Sequence, residues 1–317
     1  MNKKHSKILK KDFLESKFNL SSIIIELKLF YYLFQRPLCN IKLKKQIYLD
    51  NNFFLRKTNL FLRNEGGMFK THVYGICDKI NKLKNSVILV PGCGYGHNLF
   101  QLAAFKPKKI IAFDIYEYPE EWEFVKENIR NFFGVNIEFF QGSFNSILKK
   151  REKYFDWIIS DAVLEHVQDM ECFVKQSRIL LKKDGMFYAS FGPIWYGPKG
   201  DHLDWGSNEK MFNHLVLNQK EYKKRLENKF RPTFSNDSCE GVFMFENNLF
   251  SYLKSREYIN FFENNGFKIE KLFAKISIRA LHFLKRSKGF MKLLNKKNIP
   301  KFDRFCSGFY LWAKPYK

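Results

Sequence analysis

Short apolar runs alternate with helix-spaced segments through the middle of the chain. Val87, Ile88, Leu89 and Val90 form an unbroken apolar run, the pattern of a strand buried on both faces. Residues 99–105 then read as a helix ended by Lys106-Pro107. The strand pattern returns at residues 109–114, 135–140, 155–161 and 186–191. Between the last two, residues 172–181 place Cys172, Phe173, Ile179 and Leu180 on one helical face. Lys182-Lys183-Asp184-Gly185 follows, supplying cations and a glycine stop. Residues 252–265 read as a further helix closed by Gly266, and 267–276 and 309–313 as strands six and seven. Strands alternating with helices predict an α/β fold on a doubly wound, mostly parallel seven-stranded sheet.

Two flanking segments break this rhythm. Residues 1–65 are basic and aromatic, with an apolar stripe over 12–34 that predicts a helical extension. The stripe suits packing on the core, or a basic amphipathic surface for a membrane or partner. Glu65-Gly66-Gly67 reads as a hinge, and residues 71–83 as the helix leading into the first strand. Residues 192–250 are dense in Gly, Pro, Trp and polar side chains, and a connection this long in a compact domain is usually functional. The expected organisation is an extension over 1–65, a nucleotide-binding core over 66–191, a lid over 192–250, and completion of the core over 251–317.

The connection after the first strand carries the chemistry. Gly92, Gly94 and Gly96 let the backbone turn sharply and approach a ligand that a Cβ would repel. The dinucleotide fingerprint G-x-G-x-x-G would need its third glycine where His97 stands. The spacing G-x-G-x-G resembles instead motif I of the class I S-adenosylmethionine (SAM)-dependent methyltransferases. Asp114 ends the second strand about twenty residues on, where an acidic residue can accept hydrogen bonds from ribose hydroxyls. Leu164-Glu165-His166 is similar to a short segment found after the fourth strand in small-molecule members of that superfamily.

The resemblance implies SAM as cofactor and a cofactor site made by Pro91, Gly92, Cys93, Gly94, Gly96, Asp114, Ile115, Ser143, Phe144, Asp161 and Ala162. Ser143 and Phe144 fit its polar and apolar adenine contacts by type. Motif I usually opens with Asp or Glu, where this chain has Pro91. The methionine end then falls to backbone carbonyls near Gly92 or to Asp161. The resemblance also places His72 and Tyr74 near cofactor or substrate.

Composition adds limits. The chain has 317 residues and a formal charge of +23. That balance favours polyanionic partners, but lysine outnumbers arginine in a chain also rich in Asn, Ile and Phe, a pattern that AT-rich coding bias would produce. A nucleic-acid partner is therefore weighed and not preferred: residues 160–163 lack the Asn/Asp-Pro-Pro-Tyr loop of base-amine methylators. Peripheral membrane contact is a second partner class, and oligomeric state is left open. Six cysteines without C-x-x-C pairing fit neither zinc fingers nor a disulfide scaffold. With no apolar run long enough for a membrane span and no signal peptide visible, a cytoplasmic location is expected.

The expected reaction is transfer of a methyl group to a hydroxyl of a small polar acceptor, such as a sugar or glycan precursor. A general base helps there, and histidine is the commonest. His202, flanked by Asp201 and Asp204, is the first choice and His166 the second. Trp195, Tyr196, Asp201, Asp204, Trp205 and His214 are expected to line the acceptor site. No metal is assigned: Asp201, His202 and Asp204 could ligate one, but acidic residues close in sequence are usually solvated. A non-catalytic protein retaining the fold is the alternative of another class.

Overall fold

In the computed structural model, residues 83–96, 98–103, 105–144, 151–203, 209–229 and 244–316 are described. The expected extension over 1–65, most of the helix over 71–83, His72, Tyr74, Asp204 and Trp205 lie outside them. β1 (Val87–Pro91) is buried along its whole length, as its apolar run requires. The glycine turn leads into α1 (Leu99–Ala103), and β2 (Lys109–Asp114) lies parallel to β1. α2 (Pro119–Phe133) then carries Pro at its first turn, Glu120 and Glu121 near its positive end, and a left-handed Gly134 as its stop. β3 (Asn136–Gln141), β4 (Phe155–Asp161), α3 (Met170–Leu180) and β5 (Leu181–Phe191) complete the parallel part.

After β5 come α4 (Asn213–Val216), α5 (Gln219–Lys229) and α6 (Ser255–Asn264), then β6 (Phe267–Ile276). A helical pair, α7 (Ile278–Arg286) and α8 (Lys288–Lys296), separates β6 from β7 (Cys306–Pro315). The sheet runs β3-β2-β1-β4-β5-β7-β6, with β7 antiparallel to both neighbours. Strand order reverses between β1 and β4, so the crevice outside their carboxyl ends is where such a sheet binds ligands. Apolar clusters cover both faces: Phe173, Phe187 and Phe262 on one, Ile110, Ile129 and Trp157 on the other.

Several boundaries differ from the sequence expectation, β7 among them, which runs Cys306–Pro315 rather than 309–313. α3 begins at Met170 because the Asp169 side chain accepts from the Cys172 N–H at its start. Gly185 does not stop that helix. The chain is already in β5 by Leu181, and an irregular register between Phe155 and Trp157 takes up Lys182 to Gly185. α6 begins at Ser255 rather than at 252, since Tyr252 holds a left-handed backbone with φ 52 and Lys254 is extended.

Candidate functional site

The glycine turn is braced from three sides. Cys93 N–H donates to the Phe113 carbonyl (3.1 Å), Gly94 N–H to Asp114 Oδ2 (2.7 Å), and Trp122 Nε1–H to the Gly94 carbonyl (2.8 Å). Trp122 is itself held by stacking on Phe139, ring centroids 5.1 Å apart and nearly coplanar. Asp114 Oδ1 accepts from Tyr116 N–H (3.1 Å), so each carboxylate oxygen keeps a further lone pair for a ligand hydroxyl. A Cβ at Gly94 would meet nothing within 4 Å, whereas one at Gly96 would press the Phe139 ring at 2.9 Å. Ile115, 58 % exposed, stands directly beyond Asp114. An open cradle over Gly94, a carboxylate with spare acceptors and an exposed apolar side chain fit a ribose and its base.

Other expected cofactor residues fall as follows. Pro91 closes β1 in register with Phe113 and is buried. Burial, with the Asp114 charge adding to it, pushes the Cys93 thiol well above its ordinary range. Ser143 is exposed at the end of β3, but Phe144 is buried edge-on against Phe113 and Phe173 and faces the core rather than a ligand. Asp161 ends β4, and Ala162 follows with φ 54, its N–H donating to the Ser190 carbonyl (2.7 Å).

Beyond Ala162, the turn Leu164–His166 carries two polar side chains, Glu165 and His166. Glu165 is buried, its Oε1 accepts from Gly192 N–H (2.6 Å), and its Oε2 has no hydrogen-bond partner among the described residues. Burial raises its pKa, opposed by His166, by hydrogen bonds and by Lys275. His166 Nδ1 lies 2.7 Å from the Leu249 carbonyl, and His202 Nε2 lies 3.0 Å from the Pro193 carbonyl. The two imidazoles meet edge to face at 4.8 Å, and both rest on Phe250 at 5.6 and 5.5 Å. Burial, then the neighbouring His166, brings the His202 pKa down to about 4.

Asp201 and His214, expected beside the acceptor, are buried and face each other. Asp201 is 0 % exposed, accepts from the Tyr222 hydroxyl (2.9 Å) and lies 3.6 Å from His214 Nδ1. His214 Nε2 meets the Trp195 carbonyl at 2.7 Å, and burial holds its pKa low. Trp195 packs on His214, Phe250 and Tyr252, while Tyr196 faces the Lys254 ammonium at 5.9 Å. Sequence reasoning missed Glu165, Phe250, Tyr252, Trp122 and Lys275. Glu165 sat inside a recognised segment, but the others gain meaning only from partners far away in the chain. Lys275 Nζ bonds Ser190 Oγ (3.1 Å) over the Tyr310 ring; burial lowers its pKa, while Asp161 and then Glu165 raise it.

Among the described residues, no helix is long and apolar enough to cross a membrane. The family model described as "Methyltransferase domain" matches residues 82–266, more than half of the chain. No curated protein matches. Similar solved structures include a SAM-dependent methyltransferase from Mesorhizobium loti, with 14 % identity, TM-score 0.44, and coverage of 77 % of this chain and 99 % of that one. Another, from Methanosarcina mazei, has 19 % identity, TM-score 0.42, and coverage of 73 % and 93 %. By the family match, together with the glycine turn, Asp114 and the sheet order, the chain belongs to the methyltransferase-domain family, as a class I enzyme that takes SAM as its cofactor.

Proposed function

We propose that this enzyme transfers the methyl group of SAM to a hydroxyl oxygen of a small polar acceptor, such as a sugar or glycan precursor. The observation that carries the reading is the His166–His202 pair beyond the carboxyl ends of β4 and β5. Bound SAM supplies an electrophilic methyl on a sulfonium. Held at the glycine turn and Asp114, it would supply that methyl to the acceptor oxygen together with a neutral sulfur leaving group that keeps the electron pair. The acceptor's proton departs through the histidine pair.

In this reading the chain's work is mainly placement. Gly92, Gly94 and Gly96 give backbone room, Asp114 takes the ribose hydroxyls, and Ile115 and Ser143 flank the base. Asp161, beside the left-handed Ala162, takes the ammonium that Pro91 cannot. Residues 192–250 serve as the acceptor lid, with Trp195 and Tyr196 offering aromatic faces to a sugar ring.

The test is methyl transfer from labelled SAM to a panel of sugars and nucleotide sugars, with the product bond assigned by NMR. An O-methyl product is expected. Methylation confined to nitrogen, or to a polymer, overturns the acceptor class. His202→Ala should lower kcat by about 10²–10⁴-fold. Its SAM affinity, measured by calorimetry, should match the parent; an unchanged kcat removes His202 from the chemistry.

A further inference from the structure

We infer that Glu165, His166 and His202 form a binding site for one divalent transition-metal ion. The inference rests on the proposed acceptor site and revises the histidines' part in it: their lone pairs hold the ion, and the ion makes the acceptor's proton easier to lose to water. One ligand atom from each of the three residues lies within 4.8 Å of the other two. That spread suits a pocket that tightens around an ion, since imidazole and carboxylate ligands sit at about 2.0–2.2 Å from such metals.

Hydrogen bonding shows which atoms are free. A backbone carbonyl can only accept, so His166 Nδ1 and His202 Nε2 carry the protons in the bonds to Leu249 and Pro193. His166 Nε2 and His202 Nδ1 therefore hold the lone pairs, and neither has a hydrogen-bond partner among the described residues. A histidine whose second nitrogen is tied to a backbone carbonyl is the usual form of a metal ligand, because that bond fixes both ring orientation and tautomer. Here two adjacent rings are fixed in this way.

The carboxylate makes the same point independently. Glu165 is 1 % exposed, yet only one of its oxygens is bonded. The other is buried and without a hydrogen-bond partner among the described residues, a costly arrangement for a carboxylate. Lys275 lies near enough to interact with its charge, but the buried Lys275 ammonium is engaged by Ser190 and feels the Asp161 charge more than that of Glu165. A cation held by Glu165, His166 and His202 would give the second oxygen its partner.

Two imidazoles and one carboxylate favour Zn²⁺, Mn²⁺, Fe²⁺ or Co²⁺ over Mg²⁺ and Ca²⁺, which prefer all-oxygen sets. Three protein ligands leave open positions for an acceptor's oxygens. A vicinal diol or hydroxy acid could bind through two of them, and a cation there makes a hydroxyl proton easier to lose. Phe250 beneath both rings keeps the ligands rigid. This set differs from Asp201, His202 and Asp204, the combination suggested by sequence neighbourhood, because Asp201 faces Tyr222 and His214 instead.

The full-length chain, stripped with a chelator, should be titrated calorimetrically with Zn²⁺ and with Mn²⁺ alone. One ion per chain is expected, with affinity reduced about tenfold or more in Glu165→Gln and His202→Ala. SAM binding measured alongside reports whether each variant is folded. Absence of saturable binding by the unmodified chain overturns the site, as does equal affinity in folded variants. Should both variants fail to fold, protection decides: bound Zn²⁺ should block diethylpyrocarbonate modification of His166 and His202 in the unmodified chain, and no protection overturns the site. Methyl transfer undiminished in chelator would reject the ion while leaving the acceptor class intact.

Discussion

Gly92 and Gly94 sit two residues apart and answer to different demands. Both have positive φ, 65 and 50. A Cβ at Gly92 would land inside the Val163 side chain, while one at Gly94 would enter open space. Gly92→Ala should therefore cost about 2–4 kcal/mol of stability, combining overpacking with the left-handed backbone. Gly94→Ala should cost only about 1–2 kcal/mol, from the backbone alone, while losing SAM affinity about tenfold or more. Thermal unfolding and calorimetry on the two variants check this; equal losses of Tm would show that the space over Gly94 is no ligand cradle. Cys306 is a contrasting residue. Burial pushes its thiol up to about 12, and its Sγ–H donates to the Gly308 carbonyl. At pH 8 only about one thiol in 10⁴ would be ionised. It should resist iodoacetamide in the native protein and react after unfolding, as read by peptide mass spectrometry.

Among the elements, α4 and α5 are tied to the stretch after β5 by the buried carboxylate of Asp201. Asp201 accepts from Tyr222 on α5 and faces His214 on α4. Tyr222→Phe removes the donor from a buried carboxylate and should destabilise the protein by about 1–3 kcal/mol. Because His202 follows Asp201 directly, kcat should fall as well while SAM affinity stays level. Unchanged stability and kcat would show that the Asp201–Tyr222 bond anchors nothing.

The sequence could not announce this arrangement. Aspartate beside histidine reads as solvated, and its spacing gives no sign of Tyr222 and His214, the partners that meet it in the interior. The same limit explains the early start of β5, whose irregular stretch is set by pairing with β4. By contrast, β1, β2 and β4 were legible because both faces are buried and the apolar runs are unbroken. α2 was also within reach, through Pro119, Glu120, Glu121 and Gly134, though its apolar face was overlooked. Gly94 and Asp114 were legible because ligand approach restricts residue type at fixed spacing, whereas Phe250 lies far along the chain from the histidines it supports.

For the molecule as a whole, the question is where the +23 charge resides. A coding bias towards lysine would spread it evenly. The helical pair between β6 and β7 is locally extreme: Arg279, Lys285, Arg286, Lys288, Lys292 and Lys296 are all exposed, and no Asp or Glu lies between Ile278 and Lys296. The apolar faces of both helices are already used, with Leu284 and Leu294 buried beside Phe212. The exposed cations of this face can meet polyanions, and such contacts are read most directly as salt dependence. The chain should be retained on heparin and released by moderate salt. Lys288→Glu, Lys292→Glu and Lys296→Glu together should shift elution to clearly lower salt, each lost contact reducing the salt slope by about one. The triple variant should keep its SAM affinity, since α8 contributes nothing to the glycine turn or Asp114. Unaltered elution would place the basic surface elsewhere and return the charge of this hairpin to coding bias.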